Sequence, residues 1–170
     1  MERLLTIYRE AGLDVTHISF QRKAFRAIVV VADKLLLIRS RRFGECKFPG
    51  GAAEPGEKAF DTLARETHEE TGYRLKTKIR PFGSVIEIGR DRDADGVFVH
   101  ESRYYFCSVH SQSDQPFLQD YEIEYGYEPV WMSAAAALAI NESIQDNPAI
   151  PWKKRETEVL RILILRGVSR

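Results

Sequence analysis

The stretch GGAAEPGEKAFDTLARETHEETGY, Gly50 to Tyr73, sets three glutamates, Glu66, Glu69 and Glu70, within five positions. Like charges one helical turn apart repel. Either water absorbs that cost on an exposed face, or the carboxylates are gathered to share a cation. A helix is predicted from Lys58 to Thr71, with Phe60, Leu63, Ala64, Thr67 and Thr71 on one side and Gly72 as the stop. At about 100° per residue the three glutamates fall within an arc of about 100°, apart from that apolar side. Converging oxygens suit a hard divalent cation such as Mg²⁺ or Mn²⁺. Upstream, Gly50 and Gly51 let the backbone approach a ligand closely and free a carbonyl to join the carboxylates.

Working outward, the chain's 170 residues are enough to bury a core without staples, and a single domain over 1–170 is expected. Lys and Arg total 25, as do Asp and Glu, so no global basic field points to stable nucleic-acid binding. Cys46 and Cys107 have neither disulfide-framework nor zinc-site spacing and read as reduced thiols. No secretory leader or membrane span is recognisable, so a cytoplasmic location is expected.

Leu4, Leu5, Tyr8 and Ala11 recur at helical spacing before Gly12, which predicts a helix over 2–11 within an N-terminal helical extension, 1–23. Residues 25–39, FRAIVVVADKLLLIR, read as a hairpin turning at Ala32-Asp33-Lys34, and further strands are expected near 74–80, 82–89, 97–109 and 128–132. Ser133 caps a helix through AAAALAI, and a C-terminal helix spans 152–167. The order does not alternate as a doubly wound fold would. It gives an α+β class, a mixed sheet with helices on both faces.

The joint spacing in the opening stretch is more specific than its parts: Gly51, five residues, Glu57, seven residues, Arg65-Glu66, two residues, Glu69-Glu70, one residue, Gly72. This resembles the Nudix box, G-x5-E-x7-R-E-U-x-E-E-x-G-U, of the Nudix hydrolases. Every Gly, Glu and Arg of that pattern is present, while Thr67 and Tyr73 stand where bulky aliphatics are usual. Thr67 is expected to satisfy its hydroxyl on a carbonyl one turn back.

The resemblance implies an α/β/α sandwich and a divalent-metal-dependent hydrolase. Its substrate would be a nucleoside diphosphate linked to another moiety, cut at the phosphoanhydride. It implies that Glu66, Glu69 and Glu70 bind Mg²⁺ or Mn²⁺ with the Gly51 carbonyl, that Arg65 orients the carboxylates, and that Glu57 pairs with Arg65 or a metal-bound water. The alternative is a non-catalytic module of the same fold that binds a nucleotide metabolite. The base that takes the proton from water is either a box glutamate, such as Glu69, or one of Glu122, Glu124 and Glu128 in DYEIEYGYEPVWMS. Glu124 ranks first, as a loop carboxylate free to swing inward. Arg39, Arg41, Arg42 and Lys47 are candidates for outer phosphates, and Phe48, Tyr104, Tyr105 and Phe106 for stacking on a base. The apolar C-terminal helix suggests packing against a second copy. Asp91 to Ser102 starts like a calcium loop but lacks the closing glutamate and reads as a hairpin turn at Asp95-Gly96.

Overall fold

The computed structural model describes residues 1–168; Ser169 and Arg170, the end of the expected 1–170 domain, lie outside the described residues. The segment predicted as a hairpin forms β2 (Ile18–Val31) and β3 (Lys34–Ser40). Their turn places Ala32 and Asp33 at φ 47° and 62°, the left-handed pair that a two-residue hairpin turn requires. Below this turn the two strands diverge, and the box loop fills the gap. Cys46–Lys47 (β4) pairs with β3, while Ala27 and Phe25 donate their N–H groups to the Pro49 and Gly51 carbonyls at 2.8 and 2.9 Å. The Pro-Gly-Gly segment is thereby woven into the sheet.

Helix α1 (Ala59–Thr71) follows, ended by Gly72 at φ 75°, where a β-carbon would meet the Asp114 carbonyl oxygen at 1.9 Å. Strands β5 (Tyr73–Arg90) and β6 (Val97–Ser113) form one long antiparallel hairpin through the Asp91–Gly96 turn. Pro81 does not divide β5 in two; the strand continues past it with a register shift between Pro81 and Gly83. A short helix α2 (Asp120–Tyr125), β7 (Tyr127–Met132), α3 (Ala134–Ser143) and α4 (Lys153–Leu165) complete the chain. Ser133 caps α3, accepting from the Ala136 N–H at 3.2 Å.

The amino terminus differs from expectation. Arg3–Tyr8 is a strand, β1, parallel to β5, not a helix. Its apolar spacing fits either period over so short a run, and pairing with an available sheet edge outweighs the marginal stability of an isolated short helix.

The seven strands run β1-β5-β6-β2-β3-β4, with β7 on the other edge of β3. Alternation along the strands divides the core. Phe25, Ala27, Val29, Leu36 and Tyr105 pack beneath α1 with Leu63, while Ile28, Leu35, Leu37, Phe48 and Tyr104 pack beneath α3 and α4 with Leu160 and Leu163. The fold is therefore α+β, a mixed sheet between helical layers. Helix α4 buries Val159, Leu160 and Leu163 and rests on α3, so its wide apolar arc is largely used within the chain. No described helix is long and apolar enough to cross a membrane.

Candidate active site

The site forms where the woven loop meets the carboxylate face of α1. Gly50 sits at φ 132°, and a β-carbon there would lie 2.1 Å from the Phe25 carbonyl oxygen. At Gly51 a β-carbon would lie 2.3 Å from the Glu66 carboxylate. The glycine pair thus lets the backbone lie against α1 on one side and β2 on the other.

Arg65 organises the carboxylates. It donates to Glu57 from Nε at 2.8 Å and from Nη2 at 3.0 Å, to Glu66 from Nη1 at 2.9 Å, to Glu69 at 3.2 Å and to the Ala52 carbonyl at 3.3 Å. A planar guanidinium can hold so many acceptors in fixed directions; an ammonium cannot. Glu57 also accepts from the Glu54 N–H and the Thr62 hydroxyl, both at 2.9 Å. The Arg65 bonds and these donors bring its pKa down to about 2.

Glu70 is buried, accepting from Lys47 Nζ at 2.7 Å and the Gly50 N–H at 2.6 Å. Burial first, and the nearby Glu70 charge second, push the Glu66 pKa above the usual carboxylate range. Among the described residues no three acidic, histidine or cysteine side chains already close on one ion-sized point. Arg65 and Lys47 take up their oxygens instead. The donor set nonetheless fits a hard divalent cation. It is all oxygen, and it includes the buried Glu70 and the partly buried Glu66, mutually repelling carboxylates whose charges such an ion would offset.

Several expectations need correction. The Gly51 carbonyl is used by the Phe25 N–H, so it is the Gly50 carbonyl that turns toward cationic groups, accepting from Arg26 Nη1. Phe48 is fully buried and packs edge-on against Tyr104 at 5.6 Å, so neither ring is free to stack on a base; Tyr105 is likewise core. Arg41 and Arg42 form exposed ion pairs with Glu128 and Glu124, and Arg39 is exposed on β3 away from the cleft. Of the basic candidates only Lys47 lines the cleft.

Glu124 does not occupy a mobile loop. Residues Asp120–Tyr125 are helical, and its side chain is 63% exposed beside Arg42. Glu122 is instead buried, accepting from the Gln119 N–H at 2.9 Å and the Tyr121 hydroxyl at 3.1 Å. Burial, then the Glu70 charge, raise its pKa. Thr67 Oγ1 is buried without a hydrogen bond to a described residue, contrary to the expected bond one turn back; the Thr67 carbonyl accepts from Thr71 instead.

The cleft beside the box measures about 650 Å³. Gly50, Gly51, Arg65, Glu66 and Lys47 form one end; Arg9, Phe20, Arg22, Phe98 and His100 line the other; Tyr121, Trp152 and Arg155 also face it. These last residues escaped the sequence reading. Phe20, Arg22 and Arg26 share a strand face by their even spacing, a signal hidden when the strand is started at Phe25.

The NUDIX domain model matches residues 20–153, most of the chain and all of the box. The chain belongs to the NUDIX family. Among its relatives is the nucleoside diphosphate-linked moiety X motif 6 protein of Mus musculus, 34% identical over 88 residues, covering 52% of this chain and 25% of that protein. The Homo sapiens counterpart is 36% identical over 84 residues, covering 49% of this chain and 23% of that one. This chain thus spans about a quarter of the length of the curated relatives it matches. A NUDIX hydrolase from Nitrosomonas europaea has the same fold at TM-score 0.54 and 20% identity, over 82% of this chain and 89% of that chain. An ADP compounds hydrolase matches at TM-score 0.55 and 18% identity, over 88% of this chain and 75% of that one. At such identities the likeness concerns the fold. The NUDIX box here is the stretch that opened the sequence, and its arginine and four glutamates all meet around one loop.

Proposed function

We propose that this NUDIX chain is a divalent-metal-dependent hydrolase that cleaves a phosphoanhydride bond in a nucleoside diphosphate linked to another moiety. The observation that carries this reading is the Arg65 fork. One guanidinium holds Glu57, Glu66 and Glu69 together, beside a cleft lined by Arg65, Glu66 and the Gly50-Gly51 backbone. A purely binding surface has no use for so many carboxylates where phosphate is to lie. The names of the curated relatives, which refer to nucleoside diphosphate-linked moieties, support the same substrate class.

Glu66, Glu69 and Glu70, with the Gly50 carbonyl, are the groups that would hold Mg²⁺ or Mn²⁺. When bound, such an ion neutralises phosphate oxygens and makes a water molecule acidic enough to attack phosphorus. Arg65 fixes the directions of Glu66 and Glu69, so neither must be ordered at the moment of reaction. Lys47, when released from Glu70, is placed to meet a phosphate oxygen. Glu122, a buried carboxylate with a raised pKa, is suited to accept the proton of the attacking water, with Glu69 as the box candidate for the same role.

The test is a panel of nucleoside diphosphate derivatives assayed with Mg²⁺ and with Mn²⁺, alongside Glu66→Gln. Turnover with either metal, lowered by about 10² or more in the variant, is expected. Binding of nucleotides without turnover of any of them, by folded protein, would leave a non-catalytic module of the same fold.

A further inference from the structure

The end of the cleft away from the box has a chemistry of its own. In the parallel β2–β6 pairing Arg22 lies opposite His100, and in the β5–β6 pairing His100 lies opposite Glu87. Arg9 continues beyond β1 beside β5, donating its N–H to the Ile88 carbonyl at 2.9 Å. Its guanidinium stands 5.1 Å from the Phe98 ring centroid and bonds Glu87 at 3.0 Å. Arg155, from the first turn of α4, is buried between Glu87 and Glu156.

The charges there do not balance. Among the described residues Arg9, Arg22, Arg26 and Arg155 form ion pairs with only two carboxylates, Glu87 and Glu156, which leaves two positive charges over. Neither Arg22 nor Arg26 makes an ion pair with a described carboxylate, and Arg26 Nε is buried with no hydrogen-bond partner among the described residues. The box end has the opposite excess, with Glu57, Glu66, Glu69 and Glu70 around Arg65 and Lys47. A cleft acidic at one end and basic at the other suits a ligand that meets a metal at the first and presents its own negative charge to the second.

We propose that Arg9 and Arg22, arranged around His100 with Arg26 between them and the box, form a phosphate subsite for a group other than the pyrophosphate that is cut. The substrate then carries at least one additional phosphate. Along β2, Arg22 is four residues from Arg26, about 13 Å at the rise of a strand, while Arg26 touches the Gly50 carbonyl. A group over Arg22 and His100 is thus removed from the one lying against Gly50. Burial and then the four arginines bring the His100 pKa down to about 2. The ring stays neutral, able to donate one hydrogen bond without adding to the positive charge. Phe20 and Phe98, opposite one another in register, close the outer end.

The substrate assignment rests on the proposed hydrolase activity; the subsite does not, so binding and turnover are measured separately. Inorganic tripolyphosphate, titrated calorimetrically with EDTA present, probes the subsite without a metal. Saturable binding is expected, weakened about 10-fold or more in Arg22→Gln and not weakened in Glu66→Gln, which only removes a negative charge from the cleft. Arg22 is exposed and has no ion pair among the described residues, so its loss leaves folding intact, and Arg22→Lys should restore part of the affinity. Absence of binding to the wild type, or equal binding by Arg22→Gln, would overturn the subsite.

With Mg²⁺, two substrate pairs distinguish the source of the phosphate. Diadenosine pentaphosphate against triphosphate tests a longer chain, and NADPH against NADH tests a phosphate monoester. A preference of about 10-fold in kcat/KM for the more phosphorylated member of either pair, lost in Arg22→Gln, supports the assignment; no preference in both overturns it. Arginine-dependent binding with no turnover of any compound would instead remove the hydrolase reading and leave the subsite standing.

Discussion

Replacing Glu122 and Glu124 separately by glutamine tests how the structure divides two carboxylates that are neighbours in sequence. The glutamates are two positions apart on α2, about 200° around a helix, so one faces inward and the other outward. Glu124 forms its ion pair with Arg42, and both side chains are about half exposed or more. Such a pair contributes at most about 1 kcal/mol, or about 3 °C in Tm for a chain of this length. Glu124→Gln should therefore keep its activity within about twofold. Glu122→Gln retains an amide oxygen to accept from the Gln119 N–H, so the helix start survives, but a neutral amide cannot take a proton from water. A fall in kcat of about 10²–10⁴ follows, equivalent to about 3–5 kcal/mol in the barrier. Steady-state kinetics at saturating Mg²⁺ and a thermal melt of each variant supply both readouts. The reasoning is refuted if Glu124→Gln loses more than tenfold while Glu122→Gln keeps full activity. If both keep activity and Glu69→Gln loses it with metal affinity intact, the base lies within the box.

Other perturbations test the framework. Gly50→Ala sets a β-carbon 2.1 Å from the Phe25 carbonyl at a φ of 132°, so a loss of at least about 3 kcal/mol is expected in urea unfolding; a midpoint like that of the wild type would contradict the woven-loop geometry. Arg65→Lys leaves one ammonium for acceptors on Glu57, Glu66, Glu69 and Ala52, and kcat/KM should fall by about 10² or more, which matched kinetics would show. Glu45 is buried, neither oxygen bonds a described residue, and burial raises its pKa. A carboxyl raised on folding contributes stability below its unfolded pKa and loses it as pH rises through the folded one. Glu45→Gln should thus gain on the wild type as pH rises from 5 to 8, and parallel stabilities at the two pH values would show the charge is not penalised.

The local sequence alone determined the box helix. Carboxylates at positions 66, 69 and 70 must share an arc because a helix turns every 3.6 residues, and Gly72 must end it because the chain there needs a left-handed residue. The hairpin turn at Ala32-Asp33 and the Ser133 cap were legible for the same reason, since each is settled by a few adjacent residues. Where one spacing satisfied two periods, as at Leu4, Leu5 and Tyr8, the tertiary partner decided: β5 offered an edge, and the segment became a strand. The cleft was decided wholly in three dimensions. Arg9 lies just past β1, and Arg22, His100 and Arg155 come from β2, β6 and α4, and no spacing rule connects positions so far apart. Tertiary packing also settled that Phe48 and Tyr104 would be core and not base-stacking surface, and the turn of α2 put Glu122 inside and Glu124 outside. Sequence specifies which chemistry one helix can carry, because the geometry of a helix is internal to it. Which groups face that helix across a cleft depends on how strands pair and layers pack, and those are relations between distant segments.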